Sequence, residues 1–193
     1  MSSKKQQTRQ RMLDAASQSF RSKGYAGIGV DGIARSAGVT SGAFYAHFGS
    51  KDAAFEAALV QGLDEVIEAL PRFKQQAGSR WPKAFAEYYL SRSHRDDLSH
   101  GCAMATLTPE VVRTGTALHA AYEKKMKTIV DLIADGLDDK DEDIEQRRDR
   151  AWAFLGVLIG GITLARAVKT RTTADRISTD IVSAALGIIG QAD

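Results

Sequence analysis

A chain of 193 residues with 44% hydrophobic and 26% charged residues and three prolines has the composition of an ordinary globular protein, enough for one sizeable core or for a small module joined to a larger one. Its one cysteine, Cys102, excludes an internal disulfide and argues against a cysteine-built metal site, which fits a reducing cytoplasm. The formal charge of +2 is unevenly spread: residues 1–51 hold eight Lys/Arg against Asp14 and Asp31, and the remainder holds eighteen against twenty-two acids. A basic head on an acidic body suits a polyanion partner for the head alone, although a solvated charged face explains the same count.

No stretch alternates like a strand, and the elements in chain order are all helical. The first runs from about Lys4 to Lys23, with Leu13, Ala16 and Phe20 on one face, basic residues on the other, and Gly24 as its stop. The segment MSSKKQQTRQR has no apolar stretch and does not read as a signal peptide. A second helix starts near Val30, carries Ile33, Ala34 and Ala37, and ends at Gly38. A third, short helix spans Thr40 to His47. After the break at Gly49-Ser50, Ser50 can cap a fourth helix that begins at Lys51, carries Phe55, Leu59 and Leu63, and stops before Pro71.

Residues 72–80 read as a linker, and Trp81-Pro82 opens a helix with Phe85, Tyr88, Tyr89 and Leu90. Residues 91–101 read as a polar loop. Cys102 to Val112 is helical in pattern, with a restart at Thr108-Pro109-Glu110. Ala117 to Gly136 is amphipathic, 137–143 is an acidic break, and Ile144 to Lys169 is a long helix. Its apolar core, Ala151 to Ala165, is shorter than the roughly 18–20 residues a membrane span needs and reads as a buried helix. Thr172-Thr173 opens the last helix, with Ile177, Ile181, Leu186 and Ile189. The expected fold is therefore all-α, about nine helices in total: three clustered at the basic N-terminal end plus a C-terminal helical bundle.

Two helices joined by the tight turn Ala37-Gly38-Val39 form a helix-turn-helix signature, in which the second helix enters the major groove. At helical spacing Phe44 and Phe48 face the core, while Gly42, Ala43 and Ala46 face away, flanked by Tyr45 and His47. So small an outward face lets backbone approach bases, and the phenol and imidazole suit phosphates on the groove walls. Lys51 opens the next helix, where an ammonium and free amides jointly favour a phosphate. Aromatics after a helical hairpin are also ordinary core packing; it is the turn, the basic head and the small-faced helix together that favour DNA.

The stretch GVDGIARSAGVTSGAFYAHFGSKDAAFEAAL resembles the DNA-binding region of TetR-family transcriptional repressors, whose phrase IA-x-x-AG-V-S/T-x-G-x-x-Y-x-HF-x-SK matches from Ile33 to Lys51. The preceding Phe20 and Gly24-Tyr25 match as well, so the likeness covers about residues 9–65. It implies that Thr40, Tyr45, His47 and Lys51 touch DNA, chiefly phosphates. Two positions depart from the pattern: Ile28-Gly29 stand where hydroxyl residues precede the second helix, and Ser41 stands where lysine is frequent. Arg35, Lys4, Lys5 and Arg9 are the candidates to compensate, Arg35 by reaching a base edge or a phosphate. The DNA-binding set is thus Arg35, Thr40, Ser41, Gly42, Ala43, Tyr45, His47 and Lys51.

The resemblance also implies residues 1–51 as the DNA-binding domain, a linking helix over about 51–70, and residues 71–193 as a ligand-sensing and dimerisation domain whose last two helices pair with their copies. Gly156, Gly160 and Gly161 in the long helix suit a close helix approach or space for a ligand. Cys102, in HGCAMATLTPEV near His100, resembles the sensing cysteine of a TetR-family branch that responds to electrophiles and oxidants; a small buried apolar residue reads the same way. Phe85, Tyr88, Tyr89, Met104, Tyr122, Met126, Trp152 and Phe154 could line a pocket or fill a core. His94, His100 and His119 have no metal-ligand spacing, and no catalytic residue, cofactor or membrane contact is expected. The expected partners are double-stranded DNA with a pseudo-palindromic operator, a second copy of the chain, and a small-molecule inducer. The alternatives are a helical thiol-dependent enzyme built on Cys102 and a protein-binding adaptor; neither explains the basic head.

Overall fold

A computed structural model describes residues 4–137 and 142–191. Among the described residues there are eleven α-helices, one short 3-10 turn and no strand. The helices are α1 (Lys4–Lys23), α2 (Val30–Ser36), α3 (Ser41–Phe48), α4 (Lys51–Ala77), α5 (Trp81–Tyr89), α6 (Arg92–Asp96), α7 (Ala103–Thr106), α8 (Thr108–Val111), α9 (Thr116–Ala134), α10 (Ile144–Ala167) and α11 (Arg171–Ile188). The all-α expectation holds, and the count exceeds nine because α6 stands in an expected loop and the expected helix over Cys102–Val112 is two short ones.

Contacts divide the chain into two compact units, Met1–Leu63 with Leu98–Glu123, and Asp64–Asp97 with Lys124–Asp193. In the first, Met12, Ala16 and Phe20 of α1 are fully buried with Ile33 of α2, Phe44 of α3 and Phe55, Leu59 and Leu63 of α4. The ring of Phe20 meets that of Phe55 edge-on at 5.2 Å. These are the residues that helical periodicity places on one side of each element. Met104 of α7 and Leu107, between α7 and α8, complete this core. The restart at Pro109 is real: the proline sits in the first turn of α8, where its missing N–H costs nothing.

In the second unit α10 and α11 form the largest helix–helix contact of the chain. Gly161 explains part of it, since a Cβ there would lie 2.4 Å from Ile181 Cγ2 of α11. Asp143 begins α10 with a reciprocal capping box with Gln146, and Thr170 caps α11 by accepting from Thr173 N–H at 3.3 Å. By length and composition α10 could cross a membrane. Only one face of it is covered, by Phe154, Leu155, Leu158 and Ile162, while Trp152 and Leu164 remain 44% and 58% exposed. The reading of 151–165 as a wholly buried helix is therefore corrected to a helix buried on one side.

Three boundaries differ from the sequence reading. The fourth helix runs through Pro71 to Ala77 rather than stopping before the proline, and only Gly78–Arg80 of the expected linker is non-α. Pro71 lies on the exposed side, while Leu70 is buried and Phe73 packs edge-on to Phe85 at 5.4 Å, so packing outweighs the one lost backbone bond. Within the expected loop 91–101, α6 forms because Ser91 caps it and its buried His94 and Arg95 are held in place. Arg95 bonds Asp175 and Ser178, and Arg166 donates to the carbonyls of His94 and Arg95 at 2.8 and 3.1 Å. Most of the acidic break, residues 138–141, lies outside the described residues.

Candidate nucleic-acid interface

The turn between α2 and α3 is built by Gly38, whose φ of +67° is open to glycine but strained for other residues. Gly38 N–H donates to Arg35 O at 3.1 Å and Val39 N–H to Ala34 O at 2.9 Å, which satisfies the last carbonyls of α2. Thr40 then caps α3, its hydroxyl accepting from Ala43 N–H at 3.2 Å. At the other end of α3, Gly49 N–H donates to Tyr45 O at 2.8 Å, and Ser50 Oγ accepts from Ala53 N–H at 3.0 Å to cap α4. Gly29 begins α2 without a side-chain cap, as the sequence implied.

This framework fixes which side of α3 meets solvent. Phe44 and Phe48 are turned into the core at 0% and 9% exposure, their rings 5.2 Å apart. Gly42 and Ala46 are exposed, Ala43 and His47 half-buried, and Tyr45 stands 52% exposed. Thr40 and Arg35, the latter in the last turn of α2, are exposed, and Ser41 is half-buried. Ser41 is the most constrained member: its hydroxyl donates to Asp31 Oδ1 at 2.5 Å, so it is not simply a shortened lysine pointing to solvent.

Lys51 is held by partners that the sequence did not reveal. Its ammonium lies 4.1 Å from the centroid of the Tyr25 ring, and the Tyr25 hydroxyl donates to Asp52. That hydrogen bond, with burial and the nearby carboxylate charge, pushes the Tyr25 phenol up to about 12. The cation thus lies over the face of the ring, and the carboxylate holds its hydroxyl, at the start of α4. Arg9 lies 5.1 Å from the centroid of the Phe48 ring, which brings one of the tail cations to the end of α3. The matched Gly24-Tyr25 pair was visible in the sequence; its link to Lys51 spans 26 positions and leaves no periodic trace.

With this geometry in place, the comparisons decide the family. The family model for bacterial regulatory proteins of the tetR family matches residues 12–58, which spans α2, the turn, α3 and the start of α4. The N-terminal domain of this chain is that of the tetR family of bacterial regulatory proteins. The chain's relatives include the HTH-type transcriptional regulator UidR of Escherichia coli, 26% identical over 167 residues that cover 84% of this chain and 81% of UidR. The HTH-type transcriptional repressor NemR of Escherichia coli is 24% identical over 134 residues, covering 68% of this chain and 67% of NemR. The fold is also that of a TetR-family regulator from Cytophaga hutchinsonii, with a TM-score of 0.79 at 22% identity over 100% of this chain and 98% of that one.

Cys102 is buried at 9% exposure and stands at the N-cap of α7, where its carbonyl accepts from Ala105 and Thr106 N–H at 3.1 Å each. The helix it begins has four residues, so the dipole expected to favour a thiolate there is that of a single turn. His100 is exposed, with its ring nitrogens 3.1 Å from Ser99 Oγ and 3.3 Å from Gln18 Nε2. The Tyr122 phenol is pushed up by burial, which its hydrogen bond with the Thr108 hydroxyl, 2.9 Å away, partly offsets. Arg21, a cation on the buried side of α1, donates to Gly101 O at 3.0 Å and ties that helix to the residue before the cysteine.

The pocket candidates divide. Phe85, Tyr89, Met104, Met126 and Phe154 are core, Tyr122 is half-buried, and Tyr88 and Trp152 are exposed. Among the described residues no group of three His, Cys, Asp or Glu could hold a metal. As a TetR-type regulator the protein works by binding DNA rather than by catalysis, which removes the thiol-enzyme alternative.

Proposed function

We propose that the protein is a homodimeric, cytoplasmic transcriptional repressor that leaves its operator when a small molecule binds or when Cys102 is modified. The observation that carries this reading is the outward side of α3: a glycine and two alanines in the middle, with Thr40, Tyr45, His47, Lys51 and Arg35 around it and both phenylalanines turned inward. Small residues let the helix backbone approach base edges, and the surrounding hydroxyls and cations suit phosphates. Ser41, Gly42 and Ala43 then choose the sequence, and the others set affinity. Residues 1–51 act as the reading domain, the helix from Lys51 links it, and residues 71–193 sense and dimerise.

Support for a homodimer comes from the uncovered side of α10. Gly156 and Gly160 would meet nothing within 4 Å if given a Cβ, and they stand in one exposed stripe with Trp152 and Leu164. Glycine in a helix costs about 1 kcal/mol relative to alanine, so two that face open space suit close packing against a second copy. A two-fold dimer places two reading helices about 34 Å apart, one DNA turn, and calls for a partly palindromic operator. The NemR name supports repression, and burial of Cys102 next to Gly101, whose carbonyl accepts from Arg21 of α1, supports a route from thiol to α1.

The test is gel-shift binding to DNA from immediately upstream of the gene and to DNA selected from the whole genome, with and without a thiol-reactive electrophile, in wild type and Cys102→Ser. Binding that the electrophile abolishes only in wild type supports both halves. Binding indifferent to the electrophile removes the cysteine switch and leaves a non-covalent inducer. Failure of every fragment to bind would remove the repressor.

A further inference from the structure

The basic head of residues 1–51 holds two carboxylates, Asp14 and Asp31. Asp14 is taken up by the side-chain amides of Gln10 and Gln61, which donate to it at 2.8 and 3.2 Å. Asp31 stands exposed in the first turn of α2, and its carboxylate has one hydrogen-bond partner among the described residues, the Ser41 hydroxyl at 2.5 Å. A charge there favours the start of α2, but it also repels the phosphates that the head must approach.

Ser41 opens α3 between the exposed Thr40 and the exposed Gly42. In a helix-turn-helix the first residues of the second helix are those that reach base edges. Thr40 already caps α3, so the Ser41 hydroxyl has no part in that. A hydroxyl has one proton and two lone pairs. With the proton given to Asp31, Ser41 Oγ can only accept, and the carboxylate beside it can only accept. This corner of α3 therefore offers nothing to a phosphate oxygen, to O6 or N7 of guanine, or to O4 of thymine. The donors in the major groove are amino groups, N4 of cytosine and N6 of adenine. Every base pair has one of them, so the selection is one of strand: turning the pair over brings O6 or O4 against Oγ.

We infer that Asp31 is a specificity-determining residue, which by holding the Ser41 proton makes Ser41 Oγ select a base with an exocyclic amino group, cytosine or adenine, and reject the same pair turned over. The inference rests on the DNA-binding reading above. Asp31 acts through Ser41 and is a positioning residue.

The experiment is selection from a random duplex library by the full chain, as wild type, Ser41→Ala and Asp31→Ala, followed by fluorescence anisotropy on the enriched site. The position read by Ser41 is the one whose preference falls in Ser41→Ala. Turning over the base pair there is expected to weaken wild-type binding at least about fivefold. In Asp31→Ala the same change is expected to cost less than about twofold, because the freed hydroxyl donates as readily as it accepts. Deleting the amine alone, with purine for adenine or 2-pyrimidinone for cytosine, is expected to cost wild type at least about fivefold and Ser41→Ala less than about twofold. Asp31→Ala is also expected to bind mixed-sequence DNA more tightly than wild type, since a negative charge has gone. Asp31 is exposed, and unchanged circular dichroism checks that its replacement keeps the fold. A merely structural Asp31 predicts weaker binding to every sequence with the preference at that position intact. That result, an unchanged preference in Ser41→Ala, or an amine deletion that wild type tolerates would overturn the inference and leave DNA binding standing. A wild-type chain that enriches no sequence would overturn the DNA reading and this inference with it.

Discussion

Tyr45 and Lys51 show how one residue's surroundings set what it can do on DNA. Tyr45 projects from α3 with its ring edge-on to Phe44 at 5.9 Å, so its hydroxyl is carried to solvent on a rigid base. Lys51 is pre-positioned over Tyr25, which lowers the entropy lost when it meets a phosphate. Tyr45→Phe and Lys51→Ala should weaken binding to all sequences by a similar factor, and Lys51→Ala should reduce the salt slope by about one. Substitutions at Ser41, Gly42 or Ala43 should change which sequence is preferred, read by selection from a random library. A uniform loss from that second group would contradict the division of roles. Which side of α3 is buried was legible because a rigid short helix obeys its periodicity. The Tyr25–Lys51–Asp52 cluster and the buried Arg21 were not, because they join residues far apart in sequence and no local pattern encodes such pairs.

Among the elements, packing decided the cases in which local signals pointed the wrong way. Pro71 reads as a stop, yet α4 continues because its inner side is anchored by Leu70, Phe73 and Lys74, whose ammonium donates to Leu132 O. The polar segment 91–101 reads as loop, yet α6 forms around Arg95, whose guanidinium is 6% exposed and bonds Asp175. Arg92 and Arg95 hold the Asp175 carboxyl down to about 2 from 3.8. A depressed carboxylate stabilises the fold above its ordinary value and loses that contribution as pH falls toward 2. Asp175→Asn should therefore lower Tm at pH 7 and converge with wild type as the solution is acidified. A constant difference across that range would mean that Asp175 acts through shape rather than charge. The glycines of α10 give a second contrast. Gly161→Ala forces a Cβ against Ile181 and should cost about 1–3 kcal/mol in chemical denaturation. Gly160→Leu meets open space within the chain and should leave the fold intact while shifting sedimentation from dimer to monomer. A dimer that survives Gly160→Leu would place the partner elsewhere.

For the whole molecule, the all-α class, the basic head and the helix-turn-helix were readable from composition and periodicity, because α1, α2 and α3 bury what their spacing says they bury. The tie between α1 and the loop before Cys102 was not readable in that way, because the Arg21 bond to Gly101 O joins residues 80 positions apart. An inducer must bind the two states of the body with different affinity, by about 1–3 kcal/mol for an ordinary allosteric effect. Whatever the inducer, the central claim is sequence-specific DNA binding through α3. The most direct measurement is selection of genomic fragments by the purified protein, followed by the salt dependence of binding to the enriched sequence. The account predicts enrichment of a partly palindromic site with half-sites about one turn apart, a steep fall of affinity with salt, and loss of enrichment in Lys51→Ala. No enriched sequence, or affinity indifferent to salt, would contradict it.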